Sequence, residues 1–203
     1  MQVSFNIDGI PLFNSSNKQF WPILCRVHLN QVKIKPFPVA LFYGDSKPFS
    51  IFEYLNEFIK EINQLTSEGL QINEFRFEIR VMCITCDAPA RSYVKGIKGH
   101  NAYFGCETCI QKGVNLNRRI IYIETNSHPR THQNFVSKEY PAHHLFDTPL
   151  KNMLNIDLIK QVTLDYMHLC CLGVMRKLLN YWYKGGNMEA VRLSVSLRLR
   201  LSN

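Results

Sequence analysis

Asp8, Asp87, the pair Cys106 and Cys109, and the pair Asp165 and His168 are the residues whose type and spacing suit chemistry. Asp87 ends the run Val81-Met-Cys-Ile-Thr-Cys86 and precedes Pro89, which cannot continue a strand ladder. A carboxylate at the carboxyl end of a buried strand is a common place for metal-assisted chemistry in α/β folds. The same aspartate also suits the N-cap of a following helix. Asp8 closes a second alternating run, Val3 to Asp8. If the strands ended by Asp8 and Asp87 lie side by side and parallel, both carboxylates reach the same ions. Two carboxylates so placed can bind a pair of Mg²⁺ ions about 3.5–4 Å apart. One ion then activates a nucleophile and the other stabilises the leaving oxygen of a phosphodiester. Mg²⁺ favours a few carboxylates with water and phosphate oxygens, so a sparse site is expected. A plainer alternative takes both aspartates as caps in an unrelated α/β domain.

Cys106-Glu-Thr-Cys109 follows Tyr103-Phe-Gly105 and precedes Gly113, which suits a tight knuckle. Two thiolates two residues apart in a turn are half a tetrahedral zinc site. The other ligands would come from His100, His143, His144 or His168, or from beyond Asn203. The alternative is two ordinary thiols. Cys83 and Cys86 fall on a strand and point to opposite faces, so they chelate one ion poorly, and Cys83 reads as a core residue. Asp165 and His168 share one face of a helix start, as a metal or supporting pair, or as an N-cap with a histidine packed in the first turn. The pair His143-His144 reads as a solvated loop. Arg118-Arg119 and nearby lysines suit phosphate contacts, although such a cluster is also what a wet surface looks like.

These residues need elements to position them. Val3, Phe5 and Ile7 alternate with polar residues, the pattern of a strand. Gln19–Leu29 and Pro38–Tyr43 are further strands, with Pro22 suggesting an edge or bulge. Over Phe49–Leu65 the period changes: Phe49, Phe52, Leu55, Phe58, Ile59, Ile62 and Leu65 fall on one helical face, and Gly69 is a plausible stop. Phe75–Ile84 reads as the fourth strand. In a three-strand meander followed by a helix and a fourth strand, the first and fourth strands can pair in parallel. From Arg91 to Leu150 the periodicity breaks up. This stretch holds His100, His128, His132, His143 and His144 of the seven histidines and scattered basic residues, as expected of an insertion not built on an apolar core. Asp165–Tyr183 returns to a helix with Met167, Cys171, Val174, Leu178 and Trp182 on one face, stopped by Gly185-Gly186. Val191–Leu201 alternates strictly, a strand period. The expected divisions are a core over 1–98, a basic Cys/His-rich insertion over 99–150 and a helical return over 151–203. The abrupt end at Asn203 reads as a truncated chain.

Length and composition set bounds. The 203 residues, 46% hydrophobic, suffice for one large domain with a sizeable core. No run of ~18 apolar residues suggests a membrane span. The first residues lack the basic start of a signal peptide. Seven cysteines with no export signal favour reduced thiols or bound metal over a disulfide framework. The formal charge of +8 is a mild argument for a polyanionic partner such as nucleic acid.

In combination, Asn6-Ile-Asp-Gly-Ile-Pro-Leu-Phe13, Trp21-Pro-Ile23, Cys86-Asp-Ala-Pro-Ala-Arg91, Lys95-Gly-Ile-Lys-Gly-His100, Gly105-Cys-Glu-Thr-Cys109 and Leu164-Asp-Tyr-Met-His-Leu169 resemble the transposase-like proteins of CACTA (En/Spm-type) DNA transposons and their animal relatives. The resemblance spans about Val3 to Lys184. It implies an α/β fold with an RNase H-like mixed sheet, a Cys-x-x-Cys zinc insertion and a C-terminal helix. It further implies an Asp-Asp-Glu metal triad, DNA cleavage and strand transfer with Mg²⁺, transposon-end DNA as partner, and a nuclear location. It sets no membrane role and leaves self-association open. By the same resemblance, Asp8 and Asp87 match the first two acids, Cys106 and Cys109 with His168 are metal ligands, and Asp165 belongs to an acid-x-x-His signature. Arg91, Lys95, Lys98, Arg118 and Arg119 are the expected nucleic-acid contacts. The third carboxylate, a Glu on a late helix, has no counterpart: Glu189 is the only acid after Asp165. The implied catalytic core is therefore incomplete, and the chain reads as an inactive fragment or decayed copy, or as a non-catalytic zinc-stabilised module that binds DNA or protein.

Overall fold

The structure, a computed structural model, describes residues 1–29, 32–185 and 190–201. Its contacts divide the chain into two units, Met1–Thr163 and Leu164–Asn203, and the stretch 99–150 lies within the first.

The first unit is a mixed α/β fold. Among the described residues seven strands form its main sheet: β1 (Gln2–Ile7), β2 (Ile10–Pro11), β3 (Gln19–Leu29), β4 (Val32–Lys33), β5 (Phe37–Gly44), with β8 (Arg80–Cys86) and β11 (Val162–Leu164) from later in the chain. Alternation of apolar side chains builds it: Val3, Phe5 and Ile7 of β1 are buried while the residues between them are not. β1 runs antiparallel to β3 and parallel to β8, and β5 runs antiparallel to β3. Ile23 pairs with Ile7 on one side and Ala40 on the other, so the order across the sheet is β11, β8, β1, β3, β5. It follows that β1, β5 and β8 all end at one edge of the sheet.

Helix α1 (Ile51–Glu68) packs Ile51, Leu55, Phe58, Ile59 and Ile62 into the core, with the rings of Phe5 and Phe58 edge to face at 4.8 Å. The Ser50 hydroxyl accepts from the Glu53 N–H and sets the helix start, and the Gly69 N–H returns to Leu65 O at the other end. That cap places Phe49 outside the helix. Phe49, expected on the buried face, is instead 104% exposed.

The single strand expected over Phe75–Ile84 is two pieces. β6 (Leu70–Ile72) and β7 (Phe75–Phe77) form a hairpin turned by Asn73, whose φ of 54° suits a tight two-residue turn, and β8 starts only at Arg80. Cys86, rather than Cys83, is the core thiol: Cys86 is fully buried and Cys83 only half-buried. After β8 come α2 (Ala88–Lys95), a second hairpin of β9 (Val114–Leu116) and β10 (Arg119–Ile121), and the short helix α3 (His132–Val136).

The second unit begins with a π-helical turn, Met167–Met175, that runs into α4 (Arg176–Lys184), closed by Gly185 at φ 75°. No side chain of either segment is buried, including Met167, Cys171, Val174 and Leu178. The alternating stretch expected as a strand is a helix, α5 (Val195–Leu201). Leu and Arg are good helix formers, the Ser194 hydroxyl accepts from the Leu197 N–H, and among the described residues no strand pairs with it. Glu189 lies outside the described residues. No described helix is long and apolar enough to cross a membrane.

Candidate functional site

Asp8 and Asp87 each follow one member of a paired couple. Ile7 of β1 stands opposite Cys86 of β8 in the parallel register, so the two aspartates leave neighbouring strands at the same edge. Two side chains pin the strands together one residue earlier. Asn6 donates to Thr85 O at 3.2 Å and lies 3.3 Å from Thr85 Oγ1, and the Thr85 hydroxyl donates to Phe5 O at 3.1 Å. Each carboxylate is held by a backbone N–H: Asp8 Oδ1 accepts from Gly9 and Asp87 Oδ1 from Ala90, both at 2.7 Å. Asp87 is thus both the N-cap of α2 and a strand-end acid. Cys86 lies beneath both. Burial pushes its thiol up to about 12, Arg91 pulls the other way, and the charges of Asp87 and Asp8 add to the rise. This is a neutral, inert thiol. Two hard oxygen donors of this kind suit Mg²⁺. Among the described residues no group of three or more His, Cys, Asp or Glu could hold a metal ion.

The cysteine knuckle is a second constellation. Gly105 enters it where a Cβ would stand 2.0 Å from Gly99 O, so the turn closes only on glycine. Cys106 Sγ and Cys109 Sγ are 3.2 Å apart. Gln111 donates to Cys109 Sγ at 2.9 Å, and Cys106 Sγ lies 3.4 Å from Thr108 Oγ1. Burial works to raise the Cys109 thiol, but hydrogen bonds, led by Gln111, hold it below the usual value. Two sulfurs at about 2.3 Å from one zinc would sit roughly 3.8 Å apart, so a small opening of the pair accommodates the ion.

Arg91 and Lys95 are not the surface phosphate contacts expected of them. Lys95 is fully buried and Arg91 6% exposed, because both reach Glu107, the residue after Cys106. Lys95 Nζ and Arg91 Nε lie 3.0 and 2.9 Å from the same oxygen, Glu107 Oε2. Burial lowers the Lys95 pKa, and Glu107 opposes this. Arg130, also buried, donates to Cys106 O at 3.0 Å. Two cations therefore meet one carboxylate next to Cys106, and a third holds the Cys106 carbonyl. Lys98 is half-buried, with its ammonium 5.7 Å from the Phe104 ring. Arg118 and Arg119 are exposed at the tip of the β9–β10 hairpin, where Asn117 and Arg118 both have positive φ.

Of the histidine candidates, His143 is not in a solvated loop. It is fully buried, with Nδ1 2.6 Å from Phe104 O and Nε2 without a hydrogen-bond partner. Burial pushes its pKa down to about 4, against the pull of Phe104 O. The periodicity of the sequence gives no signal for this burial. In the second unit, Asp165 Oδ1 lies 2.9 Å from His168 Nδ1 and accepts from the His168 N–H at 2.9 Å. The imidazole is exposed rather than packed.

No protein-family model, curated protein or solved structure matches this chain.

Proposed function

We propose that the first unit is an RNase H-like core of the kind found in CACTA-type transposases, a DNA-directed phosphoryl-transfer scaffold that holds Mg²⁺ at Asp8 and Asp87. The observation that carries this reading is the parallel pairing of β1 with β8, in which Ile7 opposite Cys86 makes the two aspartates neighbours at the carboxyl edge of the sheet. A strand order of β11, β8, β1, β3, β5, with β1 central and its antiparallel partner β3 beside it, supports the same fold. Bound Mg²⁺ would neutralise phosphate charge and lower the pKa of an attacking hydroxyl or water. The chain's own part is orientation: the Gly9 and Ala90 N–H groups fix the two carboxylates before any ion arrives. On this reading the protein would act in the nucleus on transposon-end DNA.

Cys106 and Cys109 are proposed zinc ligands, supported by their approach to 3.2 Å, and Asp165 with His168 is proposed as a pair within the second unit. Arg118, Arg119 and Lys98 are the proposed phosphate contacts. A second reading is a non-catalytic module: among the described residues no third acid joins Asp8 and Asp87, an absence that counts against catalysis and is shared by Cys106 and Cys109, which have no third ligand either.

Mn²⁺ titration followed by electron paramagnetic resonance tests the first reading. The wild-type chain is expected to bind Mn²⁺, while Asp8→Asn and Asp87→Asn each weaken it. Asn keeps the capping acceptor at position 87, so α2 is preserved. Equal Mn²⁺ binding by all three proteins refutes the carboxylate site, and zinc binding without Mn²⁺ binding selects the second reading.

A further inference from the structure

The loop between β5 and α1 leaves an aromatic groove that the carboxylates do not use. Its volume is about 580 Å³, and Lys47, Phe49, Phe52, Tyr93 and Phe146 line it. Phe49 is the residue just before the helix cap, a position that usually staples its side chain against the first turn. Here it stands 104% exposed, with Phe52 41% and Phe146 39% exposed beside it. Two contacts tie the groove floor together. The Tyr93 hydroxyl donates to Pro48 O, and Lys47 Nζ lies 4.7 Å from the Tyr93 ring centroid.

The groove stands at the same edge of the sheet as Asp8 and Asp87, because β5 ends in the direction of β1 and β8. A chain of contacts joins the two places. Trp21 packs so closely on Gly9, the neighbour of Asp8, that a Cβ there would meet its ring at 2.9 Å. Trp21 in turn packs edge to face on Tyr93 at 5.4 Å, and Tyr93 on Phe146 at 6.3 Å. Asp87 and Tyr93 belong to one helix and its cap.

We propose that this groove binds an unpaired base of a nucleic-acid strand whose backbone is engaged at Asp8 and Asp87, the base stacking on Phe49 and Lys47 meeting a phosphate. Exposed aromatic rings with an adjacent cation form the stacking platform by which single strands are held without sequence readout. The net charge of +8 draws the same polyanion. The proposal deepens the carboxylate reading and rests on it for the strand's position.

The test uses the full chain and a single-stranded oligodeoxynucleotide carrying 2-aminopurine, whose fluorescence is quenched by stacking, with binding read by anisotropy. Phe49→Ala is expected to weaken binding about tenfold or more and to abolish the quenching. Phe49→Trp retains both. Phe75→Ala, a 70% exposed ring in the β6–β7 hairpin, changes neither. Wild-type affinity or quenching in Phe49→Ala overturns the proposal, as does equal loss in Phe75→Ala, equal affinity for a fully paired duplex, or no oligonucleotide binding by the wild type. Mn²⁺ binding at Asp8 and Asp87 is measured without nucleic acid, so a failed groove and a failed metal site give different results.

Discussion

Replacing Glu107 with Gln leaves Lys95 and Arg91 buried around an amide. Both cations lean on one oxygen, Oε2, of a carboxylate whose side chain is 14% exposed. Removing one partner of a buried ion pair costs about 3–5 kcal/mol, and the slight exposure of Glu107 puts the expectation near the lower end, about 3 kcal/mol. With a urea dependence of roughly 2 kcal/mol/M, the unfolding midpoint should fall by about 1.5 M at pH 7. The loss should also depend on pH. The folded pKa of Lys95 lies below the 10.5 of a free lysine, and Glu107 is the charge that holds it up. Between the folded and unfolded values the unfolded chain binds more protons, so stability rises with pH there. Without Glu107 that window opens at lower pH, because the buried ammonium sheds its proton sooner. The deficit of Glu107→Gln should therefore shrink as pH rises from 7 towards 10. Urea unfolding followed by circular dichroism checks both parts. A midpoint shift under about 0.3 M, or a deficit that stays constant across this range, would refute the argument.

His143 titrates near 4 when folded, against 6.5 in a free chain, so it is neutral in the native state. Its stabilisation is complete above about 6.5 and is lost as pH falls towards 4, by roughly 3 kcal/mol; His143→Gln should flatten this part of the pH–stability curve, and an unchanged slope excludes the buried imidazole as its source. Cys106→Ser with Cys109→Ser should abolish zinc uptake in metal analysis and expose 99–150 to protease, since structural zinc contributes directly to folding; unchanged protease resistance counts against a zinc role. Gly105→Ala would drive a methyl into Gly99 O, so limited proteolysis should detect an opened knuckle, and a wild-type digestion pattern would show that the turn can shift without loss.

Much of the sheet is legible in the sequence because its signals are local. The alternation of Val3, Phe5 and Ile7 and the helical face of Leu55, Phe58, Ile59 and Ile62 report burial directly. The nearness of Asp8 and Asp87 follows from strand order and direction, which the arrangement of elements also carries. What fails to show is decided by partners far along the chain. Arg91 and Lys95 look like surface charges until Glu107 arrives to bury them, and His143 looks solvated until Phe104 O accepts it. Phe49 keeps the helical period of its neighbours, yet a single hydroxyl at Ser50 starts the helix one residue too late to include it. The Val191–Leu201 alternation is a true strand period, but a period needs a neighbouring strand, and with none among the described residues Val195–Leu201 follows the helix preference of Leu and Arg.

The parallel seam between β1 and β8 also has a meaning for synthesis. The meander of β1, β3 and β5 is made of near neighbours and can form as soon as it leaves the ribosome, whereas β8 is translated only after α1 and the β6–β7 hairpin. Until then β1 presents one unpaired flank of backbone donors and acceptors beside the apolar face of Val3, Phe5 and Ile7, the kind of flank on which nascent chains cross-associate. Long-range pairing of this sort is the slow part of folding. The two aspartates are thus brought together by the same late event that pairs this flank, and conditions that delay β8 should raise losses to aggregation during expression and keep the two carboxylates apart.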